Sequence, residues 1–394
     1  MIGTGIAGAD AGAGRILVYV EDLRSSGVVR NAIAIARRLA ARHLVTLVAG
    51  TGAGHFASAA AATGLALADL GGGPMPQRAL RLRALLRRER ADVLLSAGNL
   101  GHATVRLAAL GLRRPLRLYR VSNAVDRVAG RASPARRALA RLMLADAARV
   151  LLVGQATARS PVYARALATG RAESIPNGLD LDRARRLALA PPPHPWLERD
   201  EPVLLTVGRL HPQKDMPTLV RAAAMAARAS PLRLAIVGKG TAAAEAELRA
   251  IAAAEGFADR LLLAGEQDNV FAWAAHAQAF ALTSRWEGSS MALLEALAVG
   301  TPVIATRSAG DAADVLDGGR YGMLADAGDV PGIAAAILRQ TGPDPVLPGR
   351  RAADYSLSRT LDRYARAVDE VLAGAVTRPV RRPARHAPVA ARLG

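Results

Sequence analysis

The sequence has no cysteine in 394 residues. That excludes disulfides, thiolate metal sites and a cysteine nucleophile, and it fits a cytoplasmic protein. Lysine is nearly absent too. Lys214 and Lys239 are the two in the chain, and the other strong cations are arginines. In so arginine-biased a composition, the surviving lysines hint at positions where a compact point charge is wanted. Aromatic residues make up 3%, and residues 1–190 hold only Tyr19, Phe56, Tyr119 and Tyr163. Proteins that grip single-stranded nucleic acid stack bases on aromatic rings, so a nucleic-acid partner is disfavoured despite the basic charge. No run of eighteen apolar residues occurs, and no transmembrane helix is expected. Residues 1–14, rich in Gly and Ala, lack the positive start and apolar stretch of a signal peptide and read as a flexible leader. The first strand–helix loop holds one glycine instead of G-x-G-x-x-G, so a nicotinamide reaction has little support.

What the chain does have is apolar residue, 51% of it, enough for two domains with cores of their own. It also has lopsided charge. Residues 1–190 carry 29 arginines against 11 acids, whereas residues 191–394 carry 23 Lys and Arg against 22 acids. The bland account is arginine decorating solvated faces. The account favoured here is an anionic partner, either a membrane surface or a charged acceptor. A helix over 77–90, with six arginines and a stripe of Leu82, Leu85 and Leu86, suits an anionic membrane surface.

Periodicity sets out two runs of alternating strand and helix, the signature of an α/β protein with parallel sheets. Strands are expected at 15–20, 45–49, 93–95, 116–121 and 150–153, with helices at 28–41, 77–90, about 102–110, 134–147 and 156–168. Pro191-Pro192-Pro193-His194-Pro195 reads as a linker. The alternation then restarts, with strands at 203–207, 234–237, 261–263, 279–282 and 302–305. Helices fall between them and at 334–338 and 361–372. The boundaries are an N-terminal domain at 15–185, a C-terminal domain at 196–350 and a disordered basic tail from 376.

The densest chemistry is in residues 283–302, where Glu287 and Glu295 stand eight apart in strand, loop, helix, strand order. Ser289 or Ser290 can cap that helix and Gly300 can end it. Three loops leave carboxyl ends of strands in this half, where ligands bind in open α/β sheets. They carry Arg209 and Lys214, then Gly238-Lys239-Gly240, then Glu287-Gly288-Ser289-Ser290. Two cations, glycine-bearing loops and a capped helix mouth together suit a diphosphate. Eight helical residues span about 12 Å, and a retaining glycosidase pair needs about 5 Å, so these glutamates do not form an acid–nucleophile couple. They suit the two ends of one long ligand such as a nucleotide-sugar. A helix cap accounts for Asp311 and Asp314 as well as a functional role does, and His211 is taken as non-catalytic.

Here the sequence resembles a known family. Glu-x7-Glu at Glu287 and Glu295 resembles the mark of the retaining glycosyltransferases of family 4. Gly208-Arg209-Leu210 with Gln213-Lys214-Asp215, Ile175-Pro176-Asn177-Gly178-Leu179-Asp180, and Ala298 to Ala305 resemble further motifs of that family, in the same order. The match is thinner in the first half, at Ser26-Gly27 and at Ala145 to Val150. The resemblance implies a GT-B fold, two Rossmann-like β/α/β domains facing a central cleft, with the helix at 355–375 crossing back onto the first domain. It implies a hexosyltransferase that moves a sugar from a UDP- or GDP-sugar to a glycan or lipid-linked acceptor, forming an α-glycosidic bond. It implies catalytic roles for Arg209, Lys214 and Glu287, and donor contacts for Gly27, Gly208, Gly238, Gly288, Ser289, Ser290 and Glu295. No cofactor and no metal are implied, since two cations serve the diphosphate. Many relatives carry a histidine where this chain has Ser122. His102, Ser122 and Asn123 are therefore the acceptor-side candidates, and no base is assigned. The alternatives are an epimerase on the same fold and a basic nucleic-acid-binding protein.

Overall fold

The computed structural model describes residues 13–24, 27–122, 127–128, 131–198 and 200–374. Ser26, Asn123, most of the leader and the tail from 376 lie outside the described residues.

Two parallel sheets form the frame. The first contains β1 (Arg15–Asp22), β2 (Leu44–Thr51), β3 (Ala66–Asp69), β4 (Val93–Ser96) and β5 (Leu116–Val121). A small antiparallel hairpin, β6 (Arg127–Val128) and β7 (Arg131–Ala132), stands apart, and β8 (Arg149–Leu152) and β9 (Ala172–Ser174) complete the sheet. The order is β3-β2-β1-β4-β5-β8-β9. The second sheet contains β10 (Val203–Val207), β11 (Arg233–Val237), β12 (Leu261–Gly265), β13 (Ala279–Leu282), β14 (Val303–Thr306) and β15 (Met323–Ala325). Its order is β12-β11-β10-β13-β14-β15. Each sheet therefore runs outward in both directions from its first strand, and the reversal leaves a crevice beside that strand at the carboxyl ends. β4 and β8 are buried at every residue, as are β13 and β14, which is why they read as mostly apolar runs without alternation.

The expected elements are present, and the short helix Ala57–Ala61, the β6–β7 hairpin and the following features differ from expectation. β3, β9 and β15 are three or four residues long and mostly not buried, too short to show a period. The helix expected over 156–168 is broken into Gly154–Ala158, a 3₁₀ turn at Pro161–Tyr163, and Ala164–Ala168. Pro161 cannot continue the hydrogen-bond ladder. A further helix, Leu181–Ala188, is capped by Asp180, whose side chain accepts from the Arg183 N–H. Last, the helix at 334–338 extends over Val330–Thr341.

The crossover between halves lies upstream of the proline run. Ile175 packs in the first half's core, whereas Leu179, Ala184 and Leu197 pack in the second's. His194, within the proline run, stacks on buried Trp273, so this segment is docked and not a free spacer. Helix Leu357–Leu372 returns to the first half, burying Tyr364, Val368 and Val371 in its core. Ion pairs Arg38–Asp362, Arg42–Asp369 and Arg149–Glu370 hold it there. The two crossings run side by side: Leu179 N–H donates to Tyr355 O, and Leu357 N–H to Leu179 O, both at 2.8 Å.

The arginine-rich helix is Met75–Arg88, and its side chains correct the membrane-lying reading of residues 77–90. Leu82, Leu85 and Leu86 are buried in the protein's own core. Arg81 binds the carbonyls of Leu70 and Gly72, and Arg83 those of Ala108 and Leu110. Arg78 pairs with Glu21. These arginines serve carbonyls at element ends, which sequence periodicity does not reveal.

Candidate active site

The two sheets turn their carboxyl ends toward one another across a cleft of about 830 Å³. The first half lines it from the ends of β1, β4 and β5, through Glu21, Asn99 and Ser122; the second through Gln213, Trp286 and Glu287.

The crevice between β10 and β13 holds the densest polar cluster. After β10 the chain turns through Gly208 and Arg209 into a 3₁₀ turn, Pro212–Lys214, and reaches Asp215 at φ 52°. His211 accepts from the Gln213 N–H through Nδ1 at 3.2 Å. Buried Asp215 pairs with Arg285 at 3.0 Å, tying this turn to the loop after β13. Lys214 then reaches Glu287, with Nζ 2.5 Å from Oε1. Ser284 donates to the same oxygen at 2.9 Å and Gln213 to Oε2 at 3.2 Å. Glu287 is thereby fixed by three donors before any ligand arrives. Arg209 is exposed on the turn.

The glycines explain how closely these loops approach. A Cβ on Gly238 would lie 2.0 Å from Gly208 O, so the loops after β10 and β11 touch backbone to backbone. A Cβ on Gly208 would lie 3.0 Å from Lys214 Cε, so this glycine leaves room for the lysine stem. Gly288 is buried, and its carbonyl packs on Gly310. Gly27 opens helix Gly27–Ala40, and nothing lies within 4 Å of where its Cβ would be, so no contact within the protein requires glycine there.

Helix Met291–Ala298 starts after Ser290 and stops before Gly300, which takes φ 84°. Neither serine caps it: Ser290 makes no side-chain cap bond, and its buried Oγ has no partner. Ser289 turns elsewhere, to Asp311. Glu295 sits half-buried on the helix. Burial pushes its carboxyl up, and Arg30, Arg183 and Lys214 pull against that shift. Arg30 comes from the first half, so the two halves meet electrostatically at this acid. Lys214 acts on both glutamates, pairing directly with Glu287 and pulling on Glu295 from farther off.

The acceptor-side candidates divide. Ser122 lines the cleft, its N–H donating to Asn99 Oδ1 at 2.9 Å. Asn123 lies outside the described residues. His102 is neither a surface group nor a cleft group. It is fully buried, held by Ser96 through Nδ1 at 2.7 Å and packed edge-on against Tyr119. Burial and nearby Arg120 lower its pKa to about 3, so it stays neutral. Its place at the start of a helix packed into the sheet turns the ring inward. No cluster of three or more His, Asp or Glu side chains suited to a metal occurs among the described residues.

Three residues of the site have contacts that the sequence reading did not give. Arg120 is 2% exposed and binds Tyr364 Oη, Ala97 O and Asn177 Oδ1. Asn177, at the crossover, also accepts from Asn31 at 3.2 Å and donates to Ser289 O at 3.4 Å. Asp311, for which a cap and a functional role stood equally open, makes no cap bond and lies buried at the seam between the halves. The Pro-Asn-Gly turn was the only pointer to the first two.

Comparison with known proteins agrees with this geometry. The family model described as Glycosyl transferases group 1 matches residues 201–341, and that described as Glycosyltransferase Family 4 matches residues 25–183. The lipopolysaccharide core biosynthesis glycosyltransferase LpsE of Rhizobium meliloti is 34% identical over 138 residues, 35% of this chain and 39% of that protein. D-inositol 3-phosphate glycosyltransferase 2 of Catenulispora acidiphila is 34% identical over 189 residues, 43% of each. The chain thus spans about two-fifths of the length of these relatives. Among solved structures, Anabaena HepE in complex with UDP superposes with a TM-score of 0.76 at 18% identity, over 90% of this chain and all of that one. WaaG, a glycosyltransferase involved in lipopolysaccharide biosynthesis, gives 0.65 at 16% identity, over 91% of this chain and all of that one. At such identities the likeness is one of fold, and the fold is GT-B. With both family models in register with its two halves, the chain belongs to the group 1, family 4 glycosyltransferases.

Proposed function

We propose that this protein transfers a sugar from a nucleoside-diphosphate donor to a hydroxyl of a glycan or lipid-linked acceptor, with retention at the anomeric carbon and an α-linkage in the product. The observation that carries the reading is the Lys214–Glu287 pair at the crevice between β10 and β13, flanked by the Gly208–Gly238 backbone contact. In this reading Lys214 and Arg209 take the diphosphate, Glu287 with the Gly288–Ser289 backbone holds the donor sugar, and Glu295 takes the ribose hydroxyls. In this reading no metal or cofactor is needed, because Lys214 and Arg209 meet the charge that grows on the leaving diphosphate. The C1–O bond to phosphate breaks, and the acceptor oxygen bonds to C1 from the same face. Its proton passes to the departing phosphate oxygen, the nearest base on that face. The donor is a UDP- or GDP-sugar: solved neighbours are described with UDP and UDP-glucose, and one relative is described as GDP-mannose-dependent.

The acceptor side supports a cytoplasmic enzyme resting on an anionic membrane, though not through the helix stripe first expected. Residues 75–146 carry 16 arginines against 4 acids. Of those acids Glu89, Asp92 and Asp146 are paired with arginines, and Leu80, Leu107, Leu110 and Leu142 stand exposed among them. Leucines exposed beside cations suit a lipid interface. No helix among the described residues is long and apolar enough to cross a membrane.

The test is a thermal-shift panel of UDP, GDP, ADP and their sugars, followed by product linkage by NMR with the donor that stabilises. Stabilisation by none of them would defeat the reading. Vesicle flotation with Arg87, Arg88, Arg137 and Arg141 changed to Gln tests the membrane part, and unchanged flotation on anionic vesicles would refute it.

A further inference from the structure

After β14 the chain turns back behind the loop that holds Glu287, and Asp311 lies in that turn, 2% exposed. Ser289 is hydrogen-bonded to it, while Oδ1 has no partner. The first half presses on it from the other side. A Cβ on Gly154, whose φ is 73°, would lie 2.5 Å from Asp311 Oδ2 and 3.4 Å from Ser289 Cβ. Only a residue without a side chain fits at 154. Gly310 is as tightly placed against Glu287 Cβ, at 2.8 Å. Arg159 of the first half pairs with Asp314 along the same seam. Asp311 is thus where the first half, the second half and the 287–290 loop all touch.

Its charged surroundings leave it uncompensated. Glu287 on the loop and Asp314 on its own helix are like charges. Lys214 is committed to Glu287, and Arg159 to Asp314. Arg351, on the 3₁₀ turn Arg351–Tyr355, spends its donors on Val315 O, Asp314 O, Asp354 and Tyr355. Tyr355 adds no charge, since its own pKa is raised to about 12. Burial without a facing cation pushes the Asp311 carboxyl up to about 7, outweighing the Ser289 hydrogen bond, which favours the charged form.

We propose that Asp311 is a positioning residue: as a neutral carboxyl it holds the 287–290 loop against the first half, and loss of its proton to solvent frees the loop. The functional meaning rests on the reading of that loop as the donor loop. The seam itself does not, and its test needs no nucleotide. Trp286 lies in the loop and lines the cleft, so its fluorescence reports the loop's placement. Titrated without ligand from about pH 4 to 9, the wild-type protein is expected to show a fluorescence transition above the ordinary carboxylate range and no higher than about 7. Asp311→Asn, an isostere of the protonated form, should keep the low-pH signal throughout, and Trp286→Phe should remove the transition. Gly154→Ala, which wedges the seam, should give the high-pH signal at every pH. Absence of the transition in the wild type, or its survival in Asp311→Asn or in Trp286→Phe, overturns the proposal. Failure of the nucleotide panel would leave this result standing, and the reverse holds too.

Discussion

Replacing Lys214 with methionine keeps most of the unbranched apolar stem and deletes the charged end. In the native protein Nζ lies 2.5 Å from Glu287 Oε1, with the side chains 18% and 11% exposed. At that separation and an effective dielectric of about 20, the attraction is on the order of 6–7 kcal/mol before desolvation is subtracted. Exposed pairs contribute under about 1 kcal/mol, and breaking fully buried ones costs about 3–5 kcal/mol. This pair lies between, and Ser284 and Gln213 still donate to Glu287 after the change. We expect a loss of about 2 kcal/mol, which lowers Tm by about 4–8 °C for a folding unit of this size. The cost to ligand binding is separate. A hydrogen bond to a charged group contributes about 1.5–3 kcal/mol, so Kd for a nucleoside diphosphate should rise about ten- to a hundredfold. Scanning calorimetry reads the first quantity and isothermal titration with UDP and GDP the second. A variant that melts with the wild type and binds equally well would show that the loops after β10 and β13 do not form the diphosphate site.

Glu295→Gln removes a half-buried charge whose carboxyl is pushed up by burial. The ligand-free protein should melt higher, while nucleotide affinity falls about tenfold through loss of a charged hydrogen bond; titration calorimetry separates the two. Gly238→Ala drives a methyl into Gly208 O, placed 2.0 Å from the ideal Cβ. Urea unfolding should show a loss of about 2–4 kcal/mol, whereas Gly265→Ala, with nothing within 4 Å but φ 69°, should cost about 1 kcal/mol. His102, lowered from 6.5 to about 3, binds its proton more weakly when folded. Its contribution is intact above the unfolded value and is lost as pH falls through that window, by up to about 1.4 kcal/mol per pH unit; His102→Gln should flatten the acid limb of the stability–pH curve. Arg83→Gln should cost about 1 kcal/mol by freeing the Ala108 and Leu110 carbonyls, with vesicle binding unchanged in the flotation assay.

Buried strands and glycine-bearing loops were legible in the sequence because their causes are local. β13 and β14 are apolar runs bounded by turn residues, and Gly300 takes the left-handed φ its position asks for. The second half's site was legible for the same reason, since Gly208, Lys214, Glu287 and Glu295 follow strand ends in order. Whatever depends on where elements meet was not. His102 looks polar in sequence and is sealed inside, because helix His102–Ala109 packs into the sheet. Arg83 looks like surface charge and closes a neighbouring helix. Asp311 looks like a cap and is a seam residue, which only the approach of Gly154, 157 positions earlier, reveals.

The side-by-side crossings at Leu179 and Leu357 have a consequence for synthesis. The first half's core takes Tyr364, Val368 and Val371 from the far end of the chain, so the part made first cannot finish its core until the part made last has left the ribosome. At about 5–20 residues per second, the first half waits roughly ten to forty seconds with the floor for helix Leu357–Leu372 uncovered. The second half, whose cores draw on residues 179 to 352, is complete before that helix appears. Emergence order and folding order are therefore reversed, and a chain stopped before residue 357 should hold a sound second half beside a first half that aggregates.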